Sequence, residues 1–122
     1  MSTDLYKIIL TEEWKQWSED PPHMIPLSPL DQKDGFVHLS TQAALLQTCR
    51  LYFQHRDPIA LVFAQEDLET DLQWEWVESR QANFPHLYRN LRWSEIKGFH
   101  QIIWHNGIVE NEPLLGIFQQ IP

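Results

Sequence analysis

The sequence predicts a single α+β domain spanning residues 1–122, with about six short strands and two or three short helices. Its length is that of one domain. A hydrophobic content of 43%, with six Trp residues, is sufficient for one core. The apolar segments are short, and they lack the regular alternation of strand and helix that marks a parallel sheet.

The first predicted elements are a strand, a helix and a loop. Residues 5–10, LYKIIL, have the β-branched and aromatic content of a strand. Thr11 can cap a short helix in which Trp14 and Trp17, three residues apart, share the inner face. Residues 20–32 contain four prolines, which predict a long irregular loop with at most a short strand.

The next segment, DGFVHLST, predicts a turn, a strand and a helix start. Because strand side chains alternate between faces, Val37 and Leu39 are expected to face the core, and His38 and Ser40 the opposite side. A helix over residues 42–54 should follow, capped by Ser40 or Thr41, with a buried stripe. That stripe comprises Leu45, Cys49, Tyr52 and Phe53.

Two further strands are predicted with different surroundings. Residues 58–64, PIALVFA, are apolar throughout, which indicates a central strand covered on both faces. Residues 72–77, LQWEWV, place Glu75 between two tryptophans, although strands disfavour Glu. If that face is covered, Glu75 needs a partner or has a raised pKa; the alternative is an edge strand with Glu75 in water.

The last predicted strands carry histidines. In NFPHLYRNL, Pro85 confines the segment to the start or edge of a strand, and His86 and Tyr88 point to the same side. Residues 99–105 form another strand, followed by a turn at 106–107.

The region from residue 80 to 105 also contains four cationic side chains and one acidic one, so a locally positive pocket for a small anionic ligand is one interpretation, and solvated surface charge is the other.

Charge and composition exclude several classes of protein. A net charge of −8 is unsuited to general nucleic-acid binding. No apolar run approaches the roughly 18 residues of a membrane span, and the first residues lack the features of a signal peptide. Cys49 is the only cysteine, so an internal disulfide is impossible and an inert buried thiol is expected. We therefore expect a cytoplasmic protein.

DGFVHLSTQ, the WEW strand and FPHLYRNL, in this order, resemble the domain-of-unknown-function 952 family over residues 5–103. The resemblance implies a fold similar to ADP-ribosyltransferases, with a bent, split, mostly antiparallel sheet whose cleft holds a nicotinamide dinucleotide in true members. It implies no assigned reaction. In the wider group a His or Arg on an early strand commonly contributes to the site, whereas the first strand here has neither.

The residues and the resemblance indicate the same polar cleft. The candidates for catalysis are His38, Glu75 and His86, which could supply a base and an orienting carboxylate. The candidates for ligand binding are Ser40, Thr41, Gln42, Phe84, Tyr88 and Arg89.

Three functions fit this pattern. The first is binding of, or action on, a nucleotide such as NAD or ADP-ribose. The second is a metal site in which His38, His86 and Glu75 form a two-histidine, one-carboxylate set, although no HxH or HExxH spacing supports it. The third is a non-catalytic domain that binds a small molecule or a protein. No glycine-rich phosphate loop is present, since the chain has only four Gly residues.

Overall fold

The structure, a computed structural model, describes residues 3–54, 56–105 and 108–109. The strands are β1 (Asp4–Leu10), β2 (Val37–His38), β3 (Ser40–Thr41), β4 (Pro58–Ala64), β5 (Leu72–Val77), β6 (Ala82–Leu87), β7 (Gly98–Gln101), β8 (Trp104–His105) and β9 (Ile108–Val109). The α-helices are α1 (Thr11–Glu19), α2 (Pro29–Asp34), α3 (Gln42–Tyr52) and α4 (Gln65–Leu68).

Two antiparallel sheets form the body of this α+β fold. The larger sheet has the strand order β3-β1-β4-β7, and the smaller has the order β2-β6-β5. β8 and β9 form a separate ribbon, and the predicted turn at 106–107 lies outside the described residues. The strands predicted at 5–10 and 58–64 are confirmed, and β4 is buried along its whole length.

β4 is apolar throughout because hydrophobic clusters cover both of its faces. One cluster includes Leu61 and Phe63, and Trp14 and Trp17 of α1 pack against it as predicted. The other includes Ala60 and Val62 of β4 together with residues from β1, from α3 and from just after β7, namely Tyr6, Leu45, Cys49 and Ile102. The predicted stripe of α3 is thus confirmed at its first two positions but wrong at Tyr52, which is 59% exposed.

The single strand predicted at FVHLS is wrong, since the segment passes from one sheet to the other. β2 pairs with β6 in the small sheet, and β3 pairs with β1 in the large one. Leu39, between them, donates its N–H to the carbonyl oxygen of Pro85 at 3.2 Å. Proline has no N–H to return, so the ladder ends there. Pro85 therefore lies within the central strand β6, contrary to the prediction, and is tolerated where pairing with β2 stops.

The predicted loop over residues 20–32 is wrong from Pro29 onward, where α2 begins. The Ser28 hydroxyl accepts the N–H of Asp31, and Pro29 occupies the first turn, where its missing donor costs nothing. Gly35 ends the helix with φ of 81°, a conformation that glycine adopts without steric cost. The short strand considered in this loop amounts to one isolated bridge between Met24 and Arg92.

The two longer helices differ in how they begin. Thr11 is the first residue of α1 rather than its cap, and its hydroxyl donates to the Asp57 carbonyl at 2.9 Å. Thr41 caps α3 as expected, because its hydroxyl accepts the N–H of Ala44 at 3.2 Å. Within the described residues, no helix is long and apolar enough to cross a membrane.

Candidate functional site

A cleft of about 880 Å³ lies beside the passage from β2 to β3. We call this space the cleft; β1, α2, the segment from His38 to Ser40, α3 and the β5–β6 hairpin line it. Its volume is within the range typical of small-molecule sites. Of the predicted site residues, His38, Ser40, Phe84 and His86 line it directly.

Glu75 and His86 meet on one face of the small sheet. Glu75 lies opposite Phe84 in the β5–β6 register, which makes His86 its diagonal neighbour on the same face. Oε1 of Glu75 lies 2.9 Å from Nδ1 of His86 and also accepts the hydroxyl of Tyr88 at 2.5 Å. All three are predicted site residues, and the structure brings both His86 and Tyr88 onto the same oxygen of Glu75.

The electrostatics of Glu75 differ from the raised pKa considered for a covered face. β5 is an edge strand, and the Glu75 side chain is 42% exposed. The hydrogen bond from Tyr88 lowers the pKa of Glu75 most, and the hydrogen bond from His86 lowers it further. The hydrogen bond to Glu75 also raises the pKa of Tyr88. The edge-strand alternative is therefore confirmed, and Glu75 has partners there as an ionised carboxylate.

The two nitrogens of His86 have different surroundings. An ionised carboxylate only accepts hydrogen bonds, so Nδ1 donates to Glu75. Nε2 has no protein partner within the part of the chain that the structure describes. The ring stacks on Phe36 at a centroid distance of 4.0 Å, which fixes its orientation. In the neutral ring, the lone pair then lies on Nε2 of a histidine that lines the cleft.

His38 is held by two carboxylates. Its Nδ1 lies 2.7 Å from Oδ1 of Asp31, and its Nε2 lies 2.9 Å from Oδ2 of Asp34. Both contacts are hydrogen bonds only when both ring nitrogens carry protons. In that state His38 has no lone pair with which to take a proton. His86, whose ring centroid is 5.5 Å away, is the better placed base.

Asp31, which contacts His38, also forms a buried ion pair with Lys7. Nζ of Lys7 lies 2.7 Å from Oδ2 of Asp31, and the side chains are 9% and 1% exposed. Burial by itself raises the pKa of Asp31, but the hydrogen bond to His38 and the charge of Lys7 outweigh it and hold the pKa well below its usual range. This pair was not among the site residues predicted from the sequence. Its signals were a lone lysine in an apolar strand and the Ser28-x-x-Asp31 spacing of a helix start.

Arg80 is a second cation of the cleft that was not selected from the sequence. Its Nη2 donates to Oγ1 of Thr48 at 2.9 Å and to Oε1 of Gln47 at 3.2 Å. Its guanidinium carbon lies 4.6 Å from the ring centroid of Phe84. Among the described residues, no carboxylate pairs with it. The available signal was its position at the start of the basic region from residue 80 to 105.

The remaining predicted residues are placed differently. Arg89 lies outside the cleft lining, where it forms a two-pronged contact with Glu95 at 3.0 and 2.8 Å and a further bond to Asp71 at 3.1 Å. Its hydrogen bonds to Glu95 raise the pKa of Arg89. Thr41 is occupied as a helix cap, and Gln42 is exposed in the first turn of α3.

The proposed metal set lacks a common binding point. Oε1 of Glu75 is directed at Nδ1 of His86, and both nitrogens of His38 contact other carboxylates. Across residues 3–54 and 56–103, no group of three or more His, Cys, Asp or Glu side chains is arranged to hold a metal ion.

Comparisons with known proteins agree with the resemblance seen in the sequence. The crystal structure of protein CC0527 from Caulobacter crescentus is similar, with a TM-score of 0.80 and 30% identity, over 94% of this chain and 100% of that one. The solution NMR structure of CC0527 gives a TM-score of 0.77 and 29% identity, over 93% and 97% of the two chains. The search of curated proteins finds no match. A family model described as "Protein of unknown function (DUF952)" matches residues 8–99, and the chain therefore belongs to the DUF952 family.

Proposed function

We propose that this protein binds a nucleotide-like ligand of the NAD or ADP-ribose class in the cleft and acts on it by acid–base catalysis through His86. The observation that carries the proposal is the Glu75–His86 contact of 2.9 Å at the wall of an 880 Å³ cleft. A carboxylate on Nδ1 and an unoccupied Nε2 are the arrangement that proton transfer by histidine needs.

In this proposal His86 takes a proton from a ribose hydroxyl or a water molecule on Nε2. The imidazolium that forms is stabilised by the ionised Glu75, which also keeps the ring in the competent tautomer. Tyr88 donates to the same oxygen of Glu75 and helps keep that oxygen directed at His86. General acid–base catalysis of this kind contributes about 10²–10⁴ in rate.

The proposed ligand class is supported by the walls of the cleft. Phe84 contributes an aromatic, apolar ring to the wall, against which the Arg80 guanidinium packs, and Arg80 offers positive charge without a carboxylate partner in the described residues. Ser40, which is 5% exposed, contributes a hydroxyl to the wall. A ring and an anionic group are the features that a nucleotide presents together.

We also propose that the two sheets are the halves of an ADP-ribosyltransferase-like split sheet. Support comes from the segment between His38 and Ser40, which leaves the small sheet and joins the large one beside the cleft. A cleft at the split of a bent sheet is where the resemblance puts a dinucleotide.

A non-catalytic binding domain would use the same cleft without turnover. The contacts of His38 are compatible with this alternative, since carboxylates engage both of its ring nitrogens. Incubation with each bound nucleotide, followed by chromatography, separates the two functions. New products that disappear in His86→Asn support catalysis, whereas tight binding with unchanged nucleotide supports the binding domain.

A thermal-shift screen tests the ligand class. The panel is NAD, ADP-ribose, other nucleotides, sugar phosphates and divalent metals. A ligand at a hundred times its dissociation constant stabilises the folded state by about 2.7 kcal/mol. We expect NAD or ADP-ribose to raise the melting temperature, less so in Glu75→Gln, and equally in Glu66→Gln, an exposed control in α4. No shift with any nucleotide would contradict the proposal.

A further inference from the structure

We propose that Arg80 anchors the oxyanion of the ligand, a phosphate-type group, at the end of the cleft formed by α3 and the β5–β6 hairpin. This inference rests on the proposed function for the identity of the complete ligand, and it adds the subsite that holds its charge. The cation predicted from the sequence for ligand binding was Arg89, which the structure places among carboxylates instead.

The guanidinium of Arg80 is fixed on one side only. Nη2 is held by Thr48 and Gln47, and the plane lies over Phe84 at 4.6 Å. Thr48 is itself anchored, because its hydroxyl donates to the carbonyl of Ala44 at 3.1 Å. An arginine held in this way loses little further freedom when it binds a ligand.

The other side of the guanidinium is available. Nε is buried without a hydrogen-bond partner, and Nη1 has no protein partner among the described residues. Leaving a buried charged donor unsatisfied is costly, and an oxyanion on Nη1 would compensate the charge as a whole. The free edge of Arg80 is thus suited to an anion.

Other cations of the region are already neutralised. Lys7 is paired with Asp31, Arg89 with Glu95, and Lys97 with Asp4 at 2.8 Å. Within the described part of the cleft, Arg80 is the cation that an incoming anion meets without displacing a carboxylate.

Neighbouring hydroxyls fit the same kind of ligand. Ser79 and Tyr52 line the cleft beside Arg80, and neither hydroxyl has a partner among the described residues. A phosphate group accepts several hydrogen bonds at once, so one guanidinium and two hydroxyls form a suitable set.

The position of the subsite also connects it with His86. Phe84, on which Arg80 lies, and His86 are two residues apart on β6 and both line the cleft. Two residues along a strand correspond to roughly 6.5–7 Å. An anion on Arg80 would therefore place the adjoining part of its ligand at His86.

The test measures inorganic phosphate binding by calorimetry, together with ADP-ribose in a separate titration. The variants are Arg80→Gln, Arg80→Lys and Arg92→Gln. The last is an exposed control outside the cleft with the same change of net charge as Arg80→Gln. Each variant is compared with its own ligand-free state, and circular dichroism checks that it is folded.

We expect phosphate affinity to fall at least tenfold in Arg80→Gln, to fall less in Arg80→Lys, and to be unchanged in Arg92→Gln. An equal loss of phosphate affinity in Arg80→Gln and Arg92→Gln would show that the effect comes from net charge alone. That result would overturn the proposed role of Arg80. Absence of phosphate binding to the wild-type protein, or unchanged affinity in Arg80→Gln, would also overturn it. The ADP-ribose titration of the wild-type protein decides the proposed function independently of these results.

Discussion

Lys7 and Asp31 form an ion pair that is buried on both sides, with Nζ 2.7 Å from Oδ2 and side-chain exposures of 9% and 1%. The pair joins the large sheet to α2, and through Asp31 it holds both the ring and the backbone N–H of His38. The wall of the cleft thus depends on an electrostatic contact below it.

Replacing Lys7 by Met should destabilise the protein strongly. The change leaves the Asp31 carboxylate buried without its cation, and breaking a buried pair in this way typically costs about 3–5 kcal/mol. Urea unfolding measures the difference. The control is Lys15→Met, an exposed lysine of α1, for which we expect a change within about 0.5 kcal/mol. Equal stabilities of the two variants would show that the buried pair contributes nothing.

The low pKa of Asp31 predicts an acid-dependent loss of stability. Its pKa is lowered in the folded protein, whereas the unfolded value is about 3.9. Between these two values the unfolded chain binds more protons, so the free energy of unfolding rises with pH. This stabilisation is complete at a pH above the pKa of Asp31 in the unfolded chain. It is lost as the pH falls through the pKa of Asp31 in the folded protein. Unfolding measured against pH should be less steep for Asp31→Asn below about pH 4; identical slopes would be evidence against the assignment.

Arg89 is expected to act in stability rather than in ligand binding. Its guanidinium bonds both oxygens of Glu95 and one of Asp71, a geometry that the single ammonium of lysine cannot reproduce. Arg89→Lys should therefore destabilise the fold by roughly 1–3 kcal/mol while leaving ADP-ribose affinity unchanged. Denaturation and calorimetry on the same sample check both parts. A selective loss of affinity would instead support the role predicted from the sequence.

The thiol of Cys49 should be unreactive in the folded protein. It is fully buried on the inner side of α3, and burial raises its pKa to about 12, an effect that the nearby charge of Arg50 only partly opposes. Since the thiolate is the nucleophile, a thiol reagent at neutral pH should react only as the protein unfolds. Reaction rates with and without denaturant provide the measurement, and rapid reaction of the native protein would contradict the burial of this side chain.

Much of the fold was predictable because its signals are local. The apolar run of β4, the strand composition of β1 and the capping threonine of α3 each lie within a few residues. The division of FVHLST between two sheets was not predictable in this way. It depends on Pro85, which meets Leu39 only in the folded chain and terminates the ladder by its missing donor.

The candidate site was predictable to the extent that strand alternation determines it. His86 and Tyr88, two residues apart, both reach Glu75 as expected. Lys7 and Asp31 are 24 residues apart, and Arg80 and Thr48 are 32 apart, so no periodic pattern in the sequence connects them. Arg89 rather than Arg80 was selected from the sequence for the same reason, because the carboxylates that contact Arg89 are brought to it by tertiary structure.

If His86 is the catalytic base, the reacting group of the bound ligand lies against its Nε2. The most direct test is a nuclear magnetic resonance titration of the imidazole nitrogens with NAD and ADP-ribose. His23 serves as the internal control, since it is exposed and does not line the cleft. We expect a saturable shift of Nε2 of His86, with His23 unchanged. Ligand binding that leaves the His86 nitrogens unshifted, or no binding of either nucleotide, would contradict it.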